Sequence, residues 1–210
     1  MTLPRIAAVL ALCAALGAAA PPAHAGAQVE EDLAPSVIAG LAKSIADFPP
    51  PPSYGAGAEV RRWVDDMSGK LAPRIADEAT RRDLLTNVHY EATRAGLDPQ
   101  LVLAVIHHES GFRKYAISIA GARGYMQVMP FWVRQIGSAD QNLFNVRVNL
   151  RYGCTILRFY LDRERGDYFR ALGRYNGSLG RSEYPNAVMA AMSRYAPTVA
   201  PVKYSQSVAK

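Results

Sequence analysis

The sequence predicts a mainly α-helical fold, and three observations carry that expectation. Apolar residues recur at helical spacing over most of residues 58–195, no segment alternates with the period of two that marks a strand, and Asp, Pro and Gly punctuate the periodic runs. Half of the 210 residues are hydrophobic and 20% are charged, so the chain has the apolar surface to bury a core and is not compositionally disordered. At roughly 150 residues per domain, the length allows one globular domain plus an extension, or at most two small domains.

Residues 1–25 have the pattern of a secretory signal: Arg5, an apolar run from Ile6 to Ala20, and the small-residue site Ala23-His24-Ala25. The run is short for a membrane span, and Pro21-Pro22 belongs to a cleavage region rather than to an anchor, so no integral membrane segment is expected after cleavage. An uncleaved anchor is the alternative. Cleavage removes Arg5 and no acidic residue, taking the formal charge from +6 to +5. It also removes Cys13 and leaves Cys154 with no partner for an internal disulfide, so stability must come from packing.

In residues 26–57, acidic Glu30-Glu31-Asp32 precedes Ile38, Leu41, Ile45 and Phe48 at helical spacing, and Pro49 to Pro52 follow. This predicts a short amphipathic helix and a stiff proline-rich linker, with a disordered tether as the alternative. Two helices come next, on the stripe Val60, Trp63, Val64, Met67, Leu71 and on the stripe Leu84, Leu85, Val88, Ala92, which ends at Gly96. Asp98-Pro99 supplies an N-cap and a first-turn proline for the buried run Leu101 to Ile106, which ends near His107-His108-Glu109-Ser110-Gly111. Residues 117–130 are rich in glycine and lack a helical period, which predicts an ordered loop. Val146, Leu150, Cys154, Leu157 and Leu161 mark a long helix with Cys154 on its apolar stripe. Asp167 to Tyr175 form a shorter one stopped at Asn176-Gly177, and Pro185 opens a last helix toward Arg194. Residues 196–210 form a basic tail.

Several site types fail on inspection. The His108-Glu109 pair would need a histidine at position 112 to make a zinc-protease helix, and Phe112 stands there. Gly177-Ser178-Leu179-Gly180 lacks the leading glycine of a nucleophile elbow, and Gly121-Ala122-Arg123-Gly124 is no dinucleotide fingerprint. With few histidines and cysteines, no metal site and no cofactor are expected. Acid–base chemistry remains. Glu109 closes an apolar helix beside a glycine-rich loop, where poor solvation raises a carboxyl pKa and lets the group act as a general acid.

Three segments carry a resemblance: Glu109-Ser110-Gly111-Phe112, then Ser118 to Pro130 with Gly124-Tyr125-Met126-Gln127 and Met129-Pro130, then Arg174-Tyr175-Asn176-Gly177. In order and spacing they resemble the Glu-Ser, Gly-Leu-Met-Gln with Met-Pro, and Ala-Tyr-Asn signatures of the soluble lytic transglycosylases, with Tyr125 in place of the usual Leu and Arg174 in place of the usual Ala. The resemblance implies a lysozyme-like helical domain over residues 58–195. It also implies cleavage of the β-1,4 bond between N-acetylmuramic acid and N-acetylglucosamine in peptidoglycan, leaving a 1,6-anhydro end. Glu109 would be catalytic; Ser118, Gln127, Met129, Tyr175 and Asn176 would meet the glycan, Tyr175 with its hydroxyl near the glutamate.

The alternatives are a hydrolase on the same fold, for which Asp140 and Glu183 are the acidic helpers at hand, and a non-catalytic wall-binding module. The expected partners are peptidoglycan glycan strands, in the periplasm or outside the cell, with room for a cell-envelope assembly partner. Nucleic acid is not expected, since Lys and Arg are scattered with no basic helix.

Overall fold

The computed structural model describes residues 28–46 and 57–198. Eight helices follow in order: α1 Pro35–Ala46, α2 Ala58–Leu71, α3 Glu78–Arg94, α4 Pro99–Glu109, α5 Pro130–Ile136, α6 Val146–Arg163, α7 Tyr168–Asn176 and α8 Glu183–Met192, with a 3₁₀ turn at Ser193–Tyr195. Among the described residues the extended backbone amounts to two isolated antiparallel bridges, Ile117 to Arg123 and Arg123 to Val128. The mainly α class is therefore as the sequence predicts. The signal segment, Cys13, the proline run and residues 199–210 lie outside the described residues.

Local chemistry sets the helix starts. The Asp98 carboxylate accepts from the Gln100 amide at 2.8 Å, and Pro99 fills a first-turn position whose N–H would have had no partner. Asp77, Asn145 and Asp167 cap α3, α6 and α7 in the same manner, each worth about 1 kcal/mol. The caps fix where α3 and α4 begin, and the apolar stripes fix which way they face.

Every residue from Leu101 to Ile106 is buried, so α4 runs through the middle of the domain. It packs against α8 and α3; α6 packs against α7 and α3, and α2 covers α3. Within this core Arg151 of α6 makes a bidentate salt bridge to Glu91 of α3, through Nε at 2.6 Å and Nη2 at 2.8 Å, with both side chains fully buried. Cys154 is a free, buried thiol whose pKa burial pushes up, which leaves it unreactive.

Four features differ from expectation or extend it. α5 has no counterpart in the sequence reading; Pro130 at its first turn starts it, and buried Phe131, Trp132 and Ile136 hold it on the core. α8 begins at Glu183, two residues before Pro185, so Tyr184 is helical. Helix α1 packs on α5 and α6 with Leu41 and Ile45 buried. The chain beyond Tyr195 is tied to α2, where Thr198 donates its amide and hydroxyl to Asp66 at 2.8 and 2.7 Å.

Candidate active site

Glu109 is the last residue of α4, where the apolar helix opens to the surface, and is partly exposed. The Tyr184 hydroxyl, on the first turn of α8, donates to its Oε1 at 2.5 Å. The Asn176 side chain, at the end of α7, makes a second hydrogen bond to the carboxyl. Burial among these helices pushes the carboxyl pKa up to about 7, against the smaller opposing pull of the two hydrogen bonds. Near neutral pH neither the acid nor the carboxylate form is strongly favoured.

The turn after Glu109 is strained. Gly111 and Phe112 both have positive φ, 59° and 66°, and for Phe112 this costs on the order of 1 kcal/mol or more. Burial of its ring, edge-on to His107 and Tyr195 with centroids 6.1 Å away, offsets the cost. His107 is wired as a neutral ring. An Arg74 nitrogen donates to Nε2 at 3.1 Å, so the ring proton sits on Nδ1 and points to the Tyr195 hydroxyl at 2.7 Å. Burial, then the nearby positive charge of Arg74, lowers the His107 pKa to about 4.

Residues 116–128 form a loop stitched by its own polar groups. Ser118 closes a tight turn: its amide donates to the Ala122 carbonyl at 3.0 Å, and its hydroxyl accepts from the Ala122 amide at 3.1 Å. Gln127, with φ of 47°, is buried, and its amide donates to the Ala116 carbonyl at 3.1 Å and the Gly124 carbonyl at 2.9 Å. Asn149 of α6 secures the loop from beneath: it accepts from the Met126 amide at 2.8 Å and donates to the Arg123 and Leu143 carbonyls. Two glycines permit the approach. A Cβ at Gly124 would lie 2.4 Å from Asn149 Nδ2 and 2.6 Å from the Leu143 carbonyl oxygen, and one at Gly153 would lie 2.3 Å from Met126 Sδ.

The structure thus places the sequence-predicted residues in two groups. Asn176 bonds Glu109 directly. Tyr175 is buried and coupled electrostatically to Glu109, but its hydroxyl donates to the Met126 carbonyl at 2.7 Å. Gln127 and Tyr175 therefore spend their polar groups on the loop, while Ser118 and Met129 remain partly exposed on it. Tyr125 is buried, so this departure from the family pattern sits in the protein interior. Tyr184, which sequence reasoning missed, is the tyrosine that touches the glutamate. The signal available was an aromatic with a polar tip one residue before Pro185, left outside a helix taken to start at that proline. Among the described residues no three or more His, Cys, Asp or Glu side chains come together as a metal site, and no helix is long and apolar enough to cross a membrane.

Residues 86–192, just over half of the chain, match the family model described as the transglycosylase SLT domain. The chain belongs to that family. All three signature segments lie inside the matched span, as do Glu109, Asn176 and Tyr184. Among similar proteins, the transglycosylase of Enterobacteria phage PRD1 is 35% identical over 100 residues, covering 44% of this chain and 37% of that protein. Membrane-bound lytic murein transglycosylase C of Haemophilus influenzae is 43% identical over 60 residues, covering 28% of this chain and 17% of that one. The chain therefore spans well under half the length of these curated relatives. A crystal structure of an inactive mutant of the lytic transglycosylase Slt from Pseudomonas aeruginosa aligns with a TM-score of 0.42 at 24% identity, over 52% of this chain and 21% of that one.

Proposed function

We propose that this SLT-family chain is a peptidoglycan lytic transglycosylase that cleaves the β-1,4 bond between N-acetylmuramic acid and N-acetylglucosamine. The observation that carries the reading is the Glu109 carboxyl, raised to about pKa 7 at the mouth of an apolar helix and bonded by neutral groups. Protonated, it gives its proton to the glycosidic oxygen as the bond breaks through an oxocarbenium-like state. As a carboxylate it then removes the proton of the substrate's own C6 hydroxyl, which closes on C1 to give the 1,6-anhydro end. That nucleophile is intramolecular, so the step gains from proximity and requires neither a second carboxylate nor a held water. The groups that act on the Glu109 carboxyl, Tyr184 and Asn176, are not acidic, which supports a single-carboxylate mechanism over hydrolysis.

Ser118 and Met129, on the exposed side of the loop, are proposed to meet the glycan, and Asn176 and Tyr184 to orient the acid. Gln127 and Tyr175 serve the site by shaping the loop. The N-terminal signal pattern supports a location in the periplasm or outside the cell, where the proposed wall substrate lies. Mass spectrometry of muropeptides released from purified sacculi tests the reading: anhydro ends are expected, and reducing ends in their place would refute it. Glu109→Gln should release neither while still binding sacculi.

A further inference from the structure

The segment before α1 reaches the back of the site. Gln28 is buried, although it lies far outside the family-matched residues 86–192. Its side-chain oxygen accepts from Trp132 Nε1 of α5 at 2.9 Å. Its amide also hydrogen-bonds the Tyr175 hydroxyl at the end of α7. With the oxygen taken by the indole, the NH₂ group is what faces Tyr175, and the phenol is left free to donate its own proton to the Met126 carbonyl at 2.7 Å. The polarity runs one way, from Trp132 through Gln28 and Tyr175 to the loop.

The following residues fasten the segment down. Glu30 pairs with Arg134 at 3.4 Å; Glu31 pairs with Arg163 at 2.5 Å and with Arg174 at 3.9 Å, and its carbonyl accepts from Gln135 Nε2 at 3.2 Å. Arg174 is the residue that departs from the family's usual alanine. Here it joins Glu31 of the N-terminal segment to Glu164 at the end of α6.

We infer that Gln28 is a positioning residue: through Trp132 and Tyr175 it fixes the Met126–Gln127 backbone and the α7 terminus that presents Asn176 to Glu109. The Glu30 and Glu31 ion pairs are the clasp that keeps it seated. The side chain must both accept and donate, so no apolar or purely accepting residue of similar size can replace it. Leucine leaves the indole N–H without a partner and the phenol without a donor. Glutamate offers acceptors on both sides and draws the Tyr175 proton away from the loop.

The inference rests on the proposed role of Glu109 for its kinetic readout, so the test has a second arm that does not. Wild type, Gln28→Leu and Gln28→Glu are prepared as the full chain, the glutamate variant keeping size and polarity in case leucine impairs folding. Amide hydrogen exchange of residues 123–128 is followed by mass spectrometry, and kcat and KM are measured on soluble glycan strands. Both variants should exchange about tenfold faster in that loop with α2 and α3 unchanged, and kcat should fall about tenfold with KM within about twofold. Wild-type loop exchange in both variants, or faster exchange spread evenly over all helices with kcat intact, would overturn the role of Gln28. Absence of cleavage by the wild type would refute the proposed activity instead, and the exchange arm would still decide on Gln28.

Discussion

Two glutamates sit in helices of the same core and meet opposite surroundings. Glu91 on α3 is fully buried and gripped by the guanidinium of Arg151 in two bonds, with Arg94 a third at 3.1 Å. Glu109 on α4 is bonded by a phenol and a carboxamide. At Glu109 burial penalises the charged form. Where cations stand opposite, the pair locks two helices together; where the partners are neutral, the proton affinity rises until the group titrates near pH 7. The charge of the neighbours separates the two sites: Glu91 is held by cations and Glu109 by neutral groups.

Glu109→Gln should cut release of anhydro-muropeptides by about 10² to 10⁴-fold, the usual worth of a general acid–base group. The same variant should be more stable than wild type at alkaline pH. The unfolded carboxyl ionises near 4.5 and the folded one near 7, so its stabilising contribution is full below pH 4.5 and lost as the pH rises through 7. By urea unfolding the gain at pH 8 should be on the order of 2 kcal/mol after discounting for cleft solvent, and near zero at pH 4.

Glu91→Ala should do the reverse. It leaves Arg151 buried without its carboxylate and should cost about 3–5 kcal/mol in urea unfolding at neutral pH.

Tyr184→Phe removes the phenol that donates to the Glu109 carboxyl. The tyrosine bond holds the carboxyl pKa down, so its loss should move the alkaline limb of the kcat/KM profile upward by up to about one pH unit. An unmoved limb would show that Tyr184 does not act on the acid.

The smallest effect concerns His107, whose folded pKa of about 4 lies below its ordinary 6.5. A group lowered in the fold contributes stability above pH 6.5 that is lost as the pH falls toward 4. His107→Gln should therefore flatten the decline of the urea midpoint between those values.

Most of the fold was legible because its helices carry their own signals. α2, α3, α4 and α6 have apolar stripes of about three turns or more, and α3, α4, α6 and α7 have side-chain caps. α5 was not, since its 7 residues are too few to display a period and its sole marker is Pro130. Glu109 could be singled out from the apolar run that ends on it, and of the residues that the family resemblance named, Asn176 is the one that bonds it. Which tyrosine reaches it could not be read. That depends on how α8 crosses α4 and where α7 ends, both set by contacts distant in sequence. Gln127 and Tyr175 have the polarity of ligand-binding residues, yet the loop consumes it, because a buried turn must satisfy its own carbonyls. Docking of Gln28 onto Trp132, 104 positions away, left no local trace at all.

Neutral surroundings hold Glu109 protonated until near neutral pH. A ¹³C-carboxyl NMR titration of the full chain, with the Glu109 resonance assigned by its absence in Glu109→Gln, measures this directly. A midpoint near 7 is the expected result. A midpoint near 4.5, the ordinary carboxyl value, would contradict it.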